Sequence, residues 1–354
     1  MTFEVKLREI IGILLLPFLI VYILTFILRR IASKLDIVDI PGRRKIHRRP
    51  IPLLGGLAIF TGVIAGLYFN SDVAKDALPL FLGATSILIV NLIDDIKGLS
   101  AHFRVIIESF IALLVIFSGV RVSFLPLGFW GDLGEVLITL IWLVGVTNAF
   151  NYLDGMDGLA CGSAIINTFY FALILFKTHQ FNLGALSVIL MASCLGFLPH
   201  NFRKAKIFLG DAGSTFIGFM LAGIGILGNW AEDNIVKISI PVLILGVPIF
   251  DMVFTTIIRI KEGKVKTIIE WLRYGGKDHF HHYLVYLGLS PLGAVFFIWT
   301  VTFALGLSAV MLRNDRAWEG ILTLAQASVI FAIIGVLIVI GRRKKSGWQA
   351  VDSS

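Results

Sequence analysis

Aspartate and asparagine residues gather in short stretches of this sequence, each at the end of an apolar run. The first stretch holds the adjacent carboxylates Asp94 and Asp95, followed by Lys97. Two neighbouring carboxylates at an apolar boundary repel each other and are costly to remove from water. A divalent cation or a nearby base relieves that cost, and Mg²⁺ is often held by one or two carboxylates plus substrate phosphates. A solvated helix end is the alternative, and the pair alone does not decide between them.

The second polar stretch holds Asn148, Asn151, Asp154 and Asp157 within ten residues. If the preceding helix continues to residue 155, Asn151 and Asp154 share one of its faces, because they are three positions apart. Asp157-Gly158 can then turn the chain, since Asp-Gly is a common turn pair. Turn chemistry alone does not explain two asparagines and two aspartates beside an apolar run. The stretch therefore indicates a functional site.

The third stretch joins Asn201 to Gly210, Asp211 and Gly213, just before a helix that is expected to start near residue 212. Free backbone amides at a helix start favour phosphate, and glycine allows the backbone to approach a ligand closely. Asp211 itself would repel a phosphate, so it makes sense as a ligand of a bridging cation. A simple helix cap is the alternative for Asp211.

Histidines and basic residues complete the candidate set. His279, His281 and His282 fall within four positions, which raises the question of zinc. No cysteine joins them, and the nearby aspartates suit a harder metal. The imidazoles could instead donate hydrogen bonds to diphosphate or ribose oxygens, or be incidental. Lys45 and Arg48 could hold a lipid phosphate, or only anchor the chain to anionic headgroups.

The elements that position these residues are predicted to be membrane helices. The chain has 354 residues, of which 57% are hydrophobic and 15% are charged, whereas soluble domains have about 25% charged residues. The net charge is +8, but no basic recognition helix appears, so nucleic-acid binding is not expected. Both cysteines lie in apolar segments, which implies no disulfide framework. The bilayer is the natural solvent for such a chain.

Eleven apolar runs approach spanning length, and the first is too long for a signal-peptide core. They cover residues 9–28, 53–70, 78–93, 104–120, 133–149, 158–177, 183–199, 212–228, 237–258, 292–312 and 321–341. With an external N-terminus, 23 of the 31 Lys and Arg residues fall in inner segments. This bias predicts an N-out, C-in orientation. The sequence thus predicts an all-α, polytopic membrane protein with one transmembrane domain over residues 1–354. Its active-site loops are expected on the cytoplasmic side, at 29–50, 94–104, 150–157, 200–211 and 259–290.

Taken in order, the motifs resemble those of the polyprenyl-phosphate N-acetylhexosamine-1-phosphate transferase superfamily (glycosyltransferase family 4). The matching pieces are Lys45-Ile-His47 with Pro52-Leu-Leu-Gly55-Gly56, Asp94-Asp95-Ile-Lys97-Gly98, Asn148-Ala-Phe-Asn151-Tyr-Leu-Asp154-Gly-Met-Asp157-Gly158, Asn201 with Phe208-Leu-Gly210-Asp211-Ala-Gly213-Ser214, and His279-Phe-His281-His282. Eleven spans and a split His-x-His-His are similar to the undecaprenyl-phosphate GlcNAc-1-phosphate transferase branch. That branch usually has Arg before the Asp-His pair, whereas this chain has Lys277, with Arg273 as the nearest arginine.

The resemblance implies transfer of GlcNAc-1-phosphate from a UDP-N-acetylhexosamine to a polyprenyl (undecaprenyl) phosphate, with release of UMP. The product would be the first lipid-linked intermediate of a cell-envelope glycan such as lipopolysaccharide or teichoic acid. The implied cofactor is Mg²⁺, with Mn²⁺ able to substitute. The implied location is the inner (plasma) membrane, in contact with membrane lipid, with the active site facing the cytoplasm and a homodimer as one assembly state.

The resemblance also suggests a role for each candidate residue. Asp94 and Asp95 are expected to be catalytic, with Asp94 deprotonating or orienting the lipid phosphate. The expected metal ligands are Asp211, Asp154 and Asp157. The expected substrate-binding residues are Asn151, Asn201, Lys97, His279, His281, His282, Lys45, Arg48 and Gly210.

Other functions stay open at this point. Within the enzyme class, the alternative is a phospho-N-acetylmuramoyl-pentapeptide transferase. From another class, the alternative is a membrane transporter, in which ionisable residues lie near the bilayer midplane, often within inverted repeats. Here the acids lie at span ends, only Glu108 and Asp251 fall well within apolar runs, and no repeat is visible. A receptor or scaffold without chemistry would leave the polar stretches unexplained.

Overall fold

The computed structural model describes residues 11–41, 49–267, 270, 274, 278–312 and 316–351, with residue 11 and residues 340–351 described by their backbone alone. Lys45, Arg48, Arg273 and Lys277 therefore lie outside the described residues.

The described chain is almost entirely helical, as the sequence predicts. The helices, in chain order, are α1 (Leu16–Lys34), α2 (Gly55–Tyr68), α3 (Ser71–Lys97), α4 (Ala101–Phe117), α5 (Phe129–Leu153), α6 (Leu159–Lys177), α7 (Phe181–Asn201), α8 (Gly210–Leu227), α9 (Asn234–Ile244), α10 (Gly246–Lys261), α11 (Phe280–Tyr286), α12 (Pro291–Met311) and α13 (Ala317–Val351). A π-helical turn, Ile11–Leu15, leads into α1. Two short strands, β1 (Val38–Asp39) and β2 (Ile51–Pro52), pair antiparallel.

Short polar residues start several of the helices. Ser100 accepts a hydrogen bond from the backbone N–H of Phe103 at the start of α4. Asp233 does the same for two amides at the start of α9. Ser290 caps α12, and Pro291 follows it in the first helical turn. These side chains satisfy amides that have no partner within the helix, and a proline in the first turn removes one such amide altogether.

When helices are judged by length and composition, fewer of them qualify as membrane spans than the eleven apolar runs suggest. Each run lies largely in a helix, but eight of the described helices are long and apolar enough to cross a membrane, or nine if α9 and α10 are one bent span. Helices α2 and α4 have only 14 and 17 residues. The chain is therefore a multi-pass, nearly all-helical protein, and its described helices give eight or nine spans by length and composition.

The run at 237–258 differs from the straight span that the sequence predicts. It forms α9 and α10, which meet at an angle of 79°. Pro248 lies two residues after the start of α10 and has no N–H to donate to the carbonyl of Ile244. Its ring would also clash with that carbonyl in a continuous helix. The helix therefore breaks at Leu245, and α10 takes a direction of its own.

Helix α8 lies at the centre of the bundle, with nearly every residue buried. It packs against α3, α5 and α2. A Cβ added at Gly213 of α8 would lie 2.6 Å from Cα of Gly56 in α2, so the two backbones touch. This close approach fixes the N-terminus of α8 beside the C-terminal ends of α3 and α5, where the aspartates lie.

Candidate active site

A cavity of about 1490 Å³ opens at one end of the bundle, where α1, α3 and α5 end and α8 and α12 begin. Residues far apart in the sequence meet there because the C-terminal ends of α1, α3 and α5 lie beside the N-terminal ends of α8 and α12. The residues predicted from the sequence that line this cavity are Asp94, Asp95, Asn151, Asp154, Asp157, Gly210, Asp211 and His282. The structure therefore brings together most of the predicted site.

Arg104 joins two of the predicted acids. One nitrogen of its guanidinium, Nη1, lies 2.8 Å from Asp94 Oδ2 and 2.5 Å from Asp211 Oδ2. Asp94 also accepts a hydrogen bond from the backbone N–H of Leu99 through its other oxygen. The Asp94 side chain is 14% exposed and that of Asp211 is 40% exposed. One cation thus holds two carboxylates from different helices at the cavity wall, and Asp211 keeps the more open face.

Asp95 has a structural task that the sequence did not predict. Its two carboxylate oxygens accept hydrogen bonds from the backbone N–H groups of Asp211 and Ala212, at 3.0 and 3.1 Å. These are the amides at the start of α8 that the sequence suggested for phosphate. Gly210 precedes them with a φ of +72°, which favours glycine. A carboxylate at a helix N-terminus is stabilising, so Asp95 ties α3 to α8.

The last turn of α5 and the loop between α5 and α6 supply three further residues to the cavity. Asn151 accepts a hydrogen bond from the Ser214 hydroxyl at 2.8 Å. Asp154 is partly exposed at the cavity, and burial of its carboxyl, followed by the negative charges of Asp211, Asp95 and Asp157, raises its pKa well above the usual value. Asp157 accepts a hydrogen bond from the backbone N–H of Ala205 at 2.8 Å. Asp154 therefore lies where a cation would relieve repulsion between several acids.

Beneath the cavity, three helices share one buried acid. Glu108 of α4 is 1% exposed. Its carboxylate accepts hydrogen bonds from the side-chain amides of Asn91 and Asn148, at 3.3 and 2.8 Å. It also lies 3.9 Å from Nε of Arg104. Glu108 thus links α3, α4 and α5 and supports the arginine that holds Asp94 and Asp211.

The three histidines have different surroundings. His279 contacts Asp251 and Arg259 through its ring nitrogens. His281 is 1% exposed, and burial, followed by the nearby His282, lowers its pKa to about 3, so the ring is neutral at pH 7. His282 lines the cavity. Only His282 of the three presents a side chain to the open part of the site.

Two of the predicted binding residues lie away from the cavity lining. Asn201 is 1% exposed; its amide accepts from the N–H of Gly158 and donates to the carbonyl of Ile207, both at 3.0 Å. It therefore fixes the two loops that flank α6 and α8. Lys97 is exposed at the end of α3 and does not line the cavity. The predicted binding residues Lys45 and Arg48 lie outside the described residues.

Several basic residues of the site were not assigned from the sequence. Arg29 of α1 and a loop between α7 and α8 with Arg203, Lys204 and Lys206 line the same cavity. Arg203 and Lys204 have φ values of 53° and 67°, a left-handed backbone that is uncommon for residues other than glycine. Arg104 was missed because a lone arginine at the start of an apolar run reads as an interfacial anchor. The sequence offers one indication of its role, which is its position only ten residues after Asp94.

The acids suit a hard cation but do not form a complete cage. Among the described residues, no group of three or more His, Cys, Asp or Glu side chains is close enough to hold a metal ion. Asp95 and Asp157 already accept backbone hydrogen bonds. Mg²⁺ commonly takes one or two carboxylates and completes its shell with water and substrate phosphates. The donor set therefore fits a cation that shares its ligands with a phosphorylated substrate.

Acids and bases in one cavity give the site its chemical character. The carboxylates can bind a cation or accept a proton, and the guanidinium and ammonium groups can bind anionic oxygens. Phosphoryl transfer depends mainly on such positioning and charge neutralisation. The cavity volume of about 1490 Å³ exceeds the roughly 300–1,000 Å³ of common ligand pockets, so the cavity has room for more than one ligand.

Comparison with known proteins agrees with this chemistry. Residues 77–229 match the family "Glycosyl transferase family 4". The chain is 34% identical over 319 residues to the "Probable undecaprenyl-phosphate N-acetylglucosaminyl 1-phosphate transferase" of Bacillus subtilis (strain 168), covering 88% of this chain and 87% of that protein. It is 30% identical over 376 residues to the "Decaprenyl-phosphate N-acetylglucosaminephosphotransferase" of Mycobacterium tuberculosis (strain ATCC 25618 / H37Rv), covering 96% and 91%.

A third relative is more distant but has a related name. The "Undecaprenyl-phosphate alpha-N-acetylglucosaminyl 1-phosphate transferase" of Escherichia coli (strain K12) is 28% identical over 288 residues, covering 77% of this chain and 76% of that protein. The similarity to the first two relatives covers 88% and 96% of this chain. The chain belongs to glycosyl transferase family 4.

Proposed function

We propose that this protein transfers GlcNAc-1-phosphate from UDP-GlcNAc to a polyprenyl phosphate, with undecaprenyl phosphate as the acceptor, and releases UMP. The observation that carries the proposal is the cavity at the end of the bundle, where Arg104 joins Asp94 to Asp211 beside Asp154 and several basic residues. Relatives that match most of the chain have names with a polyprenyl-phosphate acceptor and an N-acetylglucosaminyl phosphate group. A diphosphate donor and a phosphate acceptor both carry anionic oxygens. The basic side chains can bind these oxygens directly, and the carboxylates can bind a cation that neutralises them.

In the proposed reaction, an oxygen of the lipid phosphate attacks the phosphorus that carries the sugar. The bond from that phosphorus to the bridging oxygen breaks, and the oxygen leaves with UMP. Asp94 orients the attacking phosphate and accepts its proton when one is present. Arg104 holds the Asp94 carboxylate in place through its 2.8 Å contact. Both the bond formed and the bond broken are to phosphorus, so the sugar keeps its anomeric configuration.

Mg²⁺ is the proposed cofactor, with Mn²⁺ able to replace it. Asp211 is the strongest candidate ligand, because its carboxylate is 40% exposed to the cavity. Asp154 is the second, because it lines the cavity beside other acids, where burial, followed by the charges of those acids, raises its pKa. When bound, the ion would neutralise charge that grows on the departing UMP. The chain's own residues supply one or two of its ligands, and the diphosphate supplies others.

The cavity is proposed to face the cytoplasm from the plasma membrane, with the N-terminus outside and the C-terminus inside. The helices that end at the cavity, α1, α3 and α5, alternate with helices that begin there, α8 and α12. This order fits eleven crossings if the short α2 and α4 also cross. A helix of 14 residues such as α2 would extend about 21 Å, so the bilayer would have to thin around it.

The decisive experiment supplies the purified protein with undecaprenyl phosphate, Mg²⁺ and one UDP-sugar at a time. UDP-GlcNAc should give UMP and a lipid-linked sugar phosphate, and Asp94→Asn and Asp211→Asn should each abolish UMP release without loss of the folded protein in detergent. Turnover of only UDP-N-acetylmuramoyl-pentapeptide would identify the other branch. Solute uptake into proteoliposomes without UMP would identify a transporter, and near-native turnover by either variant would refute the role of that aspartate.

A further inference from the structure

Four cations line the cavity without a step of their own in the proposed transfer. All four side chains are exposed, and none of them forms an ion pair within the described part of the chain. We call them the basic patch, which consists of Arg29 of α1 and of Arg203, Lys204 and Lys206 in the loop between α7 and α8. Asp39 and Arg49 also line the cavity, but each already has a contact of its own. Unpaired positive charges on one wall attract an anionic ligand.

The loop that carries three of these cations is held by hydrogen bonds to residues outside it. The N–H of Ala205 donates to the Asp157 carboxylate at 2.8 Å. The N–H of Lys206 donates to the carbonyl of His200 at 2.9 Å. The first bond joins the loop to the segment between α5 and α6, and the second joins it to the last turn of α7. The backbone of the loop is therefore fixed at the cavity.

The same loop has a strained backbone at Arg203 and Lys204. Their φ values are 53° and 67°, in a left-handed region that is uncommon for residues other than glycine. Residues in such conformations persist where the surrounding structure determines the backbone, and they cluster at ligand-binding sites. The guanidinium of Arg203 also lies 6.0 Å from the centre of the Phe202 ring. The loop thus holds two neighbouring cations in a preset arrangement.

The loop and α1 lie side by side, so the basic patch is continuous. The charges of Lys206 and Arg29 both act on the ring of His200. This ring lies against α1, with Nε2 at 3.1 Å from the carbonyl of Tyr22. It also packs edge-on against the ring of Phe26, with centroids 4.5 Å apart. The end of α7 therefore brings the cations of the loop next to the cation of α1.

The face of α1 next to the patch is apolar and exposed. Phe26, Ile27 and Ile31 are exposed and lie within one turn of Arg29. Since α1 is among the helices long and apolar enough to cross a membrane, these side chains meet acyl chains in the bilayer. A ligand that uses both surfaces needs an anionic head and an apolar tail. A UDP-sugar has no such tail.

We propose that the basic patch binds the phosphate headgroup of an anionic membrane phospholipid, whose acyl chains lie along the exposed face of α1. Clusters of Lys and Arg immediately beside a membrane span attract anionic headgroups. The bound phosphate reduces repulsion among the four cations. It thereby stabilises the loop that Asp157 holds at the cavity.

The acceptor lipid also has a phosphate and an apolar tail, but its phosphate has to meet other helices. It must reach Asp94, which belongs to α3 and is held by Arg104 of α4. Helix α1 packs against α2 and α7, and the remaining cations of the patch follow α7. The patch and the proposed base therefore belong to different elements, and the phospholipid is a ligand in addition to the two reactants.

The first test compares two lipids on the wild-type protein. Native mass spectrometry in detergent counts bound lipids while dioleoyl phosphatidylglycerol or dioleoyl phosphatidylcholine is added. The first phosphatidylglycerol should bind at least about tenfold more tightly than phosphatidylcholine, because Lys and Arg near an anionic headgroup each contribute to binding. Added salt should weaken this preference, since the patch is exposed and its charges are screened. Equal binding of the two lipids would refute the proposal.

The second test locates the site on the protein. Arg29→Gln combined with Lys206→Gln removes one cation from each of the two elements and should weaken phosphatidylglycerol binding by at least about tenfold. Lys261→Gln is the matched control, because Lys261 is an exposed cation at the end of α10 that does not line the cavity. It should leave binding nearly unchanged. Equal losses in the double variant and the control, or no loss in the double variant, would overturn the assignment to the patch.

Competition separates the phospholipid from the reactants. Undecaprenyl phosphate, or UDP with Mg²⁺, is added to wild-type protein that carries one phosphatidylglycerol. The proposal predicts complexes that contain both the phospholipid and the added ligand. Displacement by undecaprenyl phosphate would assign the patch to the acceptor, and displacement by UDP would assign it to the donor. Either result would overturn the proposal.

Discussion

Arg104 is the residue on which the geometry of the acids depends. It is the only described side chain that forms an ion pair with both Asp94 and Asp211. Two carboxylates brought this close repel each other without a cation between them. Glu108, buried below, keeps the guanidinium from turning away. Arg104 therefore presets the distance between the proposed base and the proposed metal ligand before substrate arrives.

Replacement of Arg104 should show this dependence. Arg104→Gln should lower UMP release by at least about tenfold, because hydrogen bonds to charged groups contribute about 1.5–3 kcal/mol each. Arg104→Lys should retain more activity, since it keeps the charge but not the planar fork that reaches two acids. Steady-state UMP release at saturating UDP-GlcNAc measures both. Equal activity of the two variants and the wild type would contradict the role of the guanidinium.

His281 should make the folded protein sensitive to acid. Its folded-state pKa is lowered to about 3, whereas a histidine in the unfolded chain has a pKa of about 6.5. The unfolded state therefore binds more protons below pH 6.5, and stability falls as the pH drops from 6.5 towards 3. At pH 5 the loss is about 2 kcal/mol from this group alone. Thermal unfolding in detergent between pH 7 and 5 should show a smaller loss for His281→Gln. An identical pH dependence would contradict the buried, neutral state.

The sequence could supply the acids of the site but not their individual tasks. Asp94, Asp154 and Asp211 were recognised because acids beside apolar runs are unusual, and all three line the cavity. Asp95 looked equivalent to Asp94, yet it caps α8 with both oxygens. Asp251 was noticed only as an acid within an apolar run. Its partner His279 is 28 residues away, and single-sequence patterns do not reveal such a pairing.

At the scale of elements, the site depends on the packing of α8 against α2 and α3. Asp95 of α3 holds the first amides of α8. The contact between Gly56 and Gly213 brings α2 against the first turn of α8. Helices without bulky side chains at the crossing can approach closely in a membrane. The position of Asp211 therefore follows from a helix crossing as well as from its own hydrogen bonds.

A methyl group at this crossing should disturb both stability and activity. Gly213→Ala would place a Cβ 2.6 Å from the Gly56 backbone, and overpacking of this kind commonly costs about 1–3 kcal/mol. Gly145→Ala is the matched control, because its Cβ would meet only Met252 at an ordinary 3.7 Å. Gly213→Ala should lower the melting temperature and UMP release, and Gly145→Ala should do neither. Similar melting temperatures for both variants would show that the crossing tolerates a larger residue.

The apolar runs predict which segments are helical, but they do not predict the bend between α9 and α10. Asp251 is the one charged residue in the interior of the run at 237–258, so hydropathy favours one straight span. The break at Leu245 depends on Pro248, whose effect is local and sterically determined. The direction of α10 matters because this helix carries Asp251, which contacts His279.

For the whole molecule, the threading of helices through the bilayer gathers the site at one end. Charge bias placed the polar stretches on one side, and the residues of these stretches that line the cavity do lie together at one end of the bundle. With 14 and 17 residues, α2 and α4 are the shortest of the spans that eleven crossings would require. The orientation of the protein in the membrane does not follow from the number of crossings alone. It also depends on which loops are rich in Lys and Arg, because such loops stay on the cytoplasmic side.

Cysteine labelling should establish the orientation. In a chain whose two native cysteines are replaced, Ser123→Cys lies in the loop after α4 and Lys264→Cys lies in the loop after α10, and both positions are exposed. For an N-out, C-in protein, a membrane-impermeant maleimide should label Ser123→Cys in intact spheroplasts. It should label Lys264→Cys only after permeabilisation. The reverse pattern would place the cavity on the outer face.

The most direct test of the central claim follows each phosphorus of the donor. UDP-GlcNAc labelled with ³²P next to the sugar, or next to the uridine, is supplied separately with undecaprenyl phosphate and Mg²⁺. The account predicts that the label next to the sugar moves into the lipid fraction and that the label next to uridine appears in UMP. Recovery of both labels in UDP would mean that the sugar moves without its phosphate, and would contradict the account.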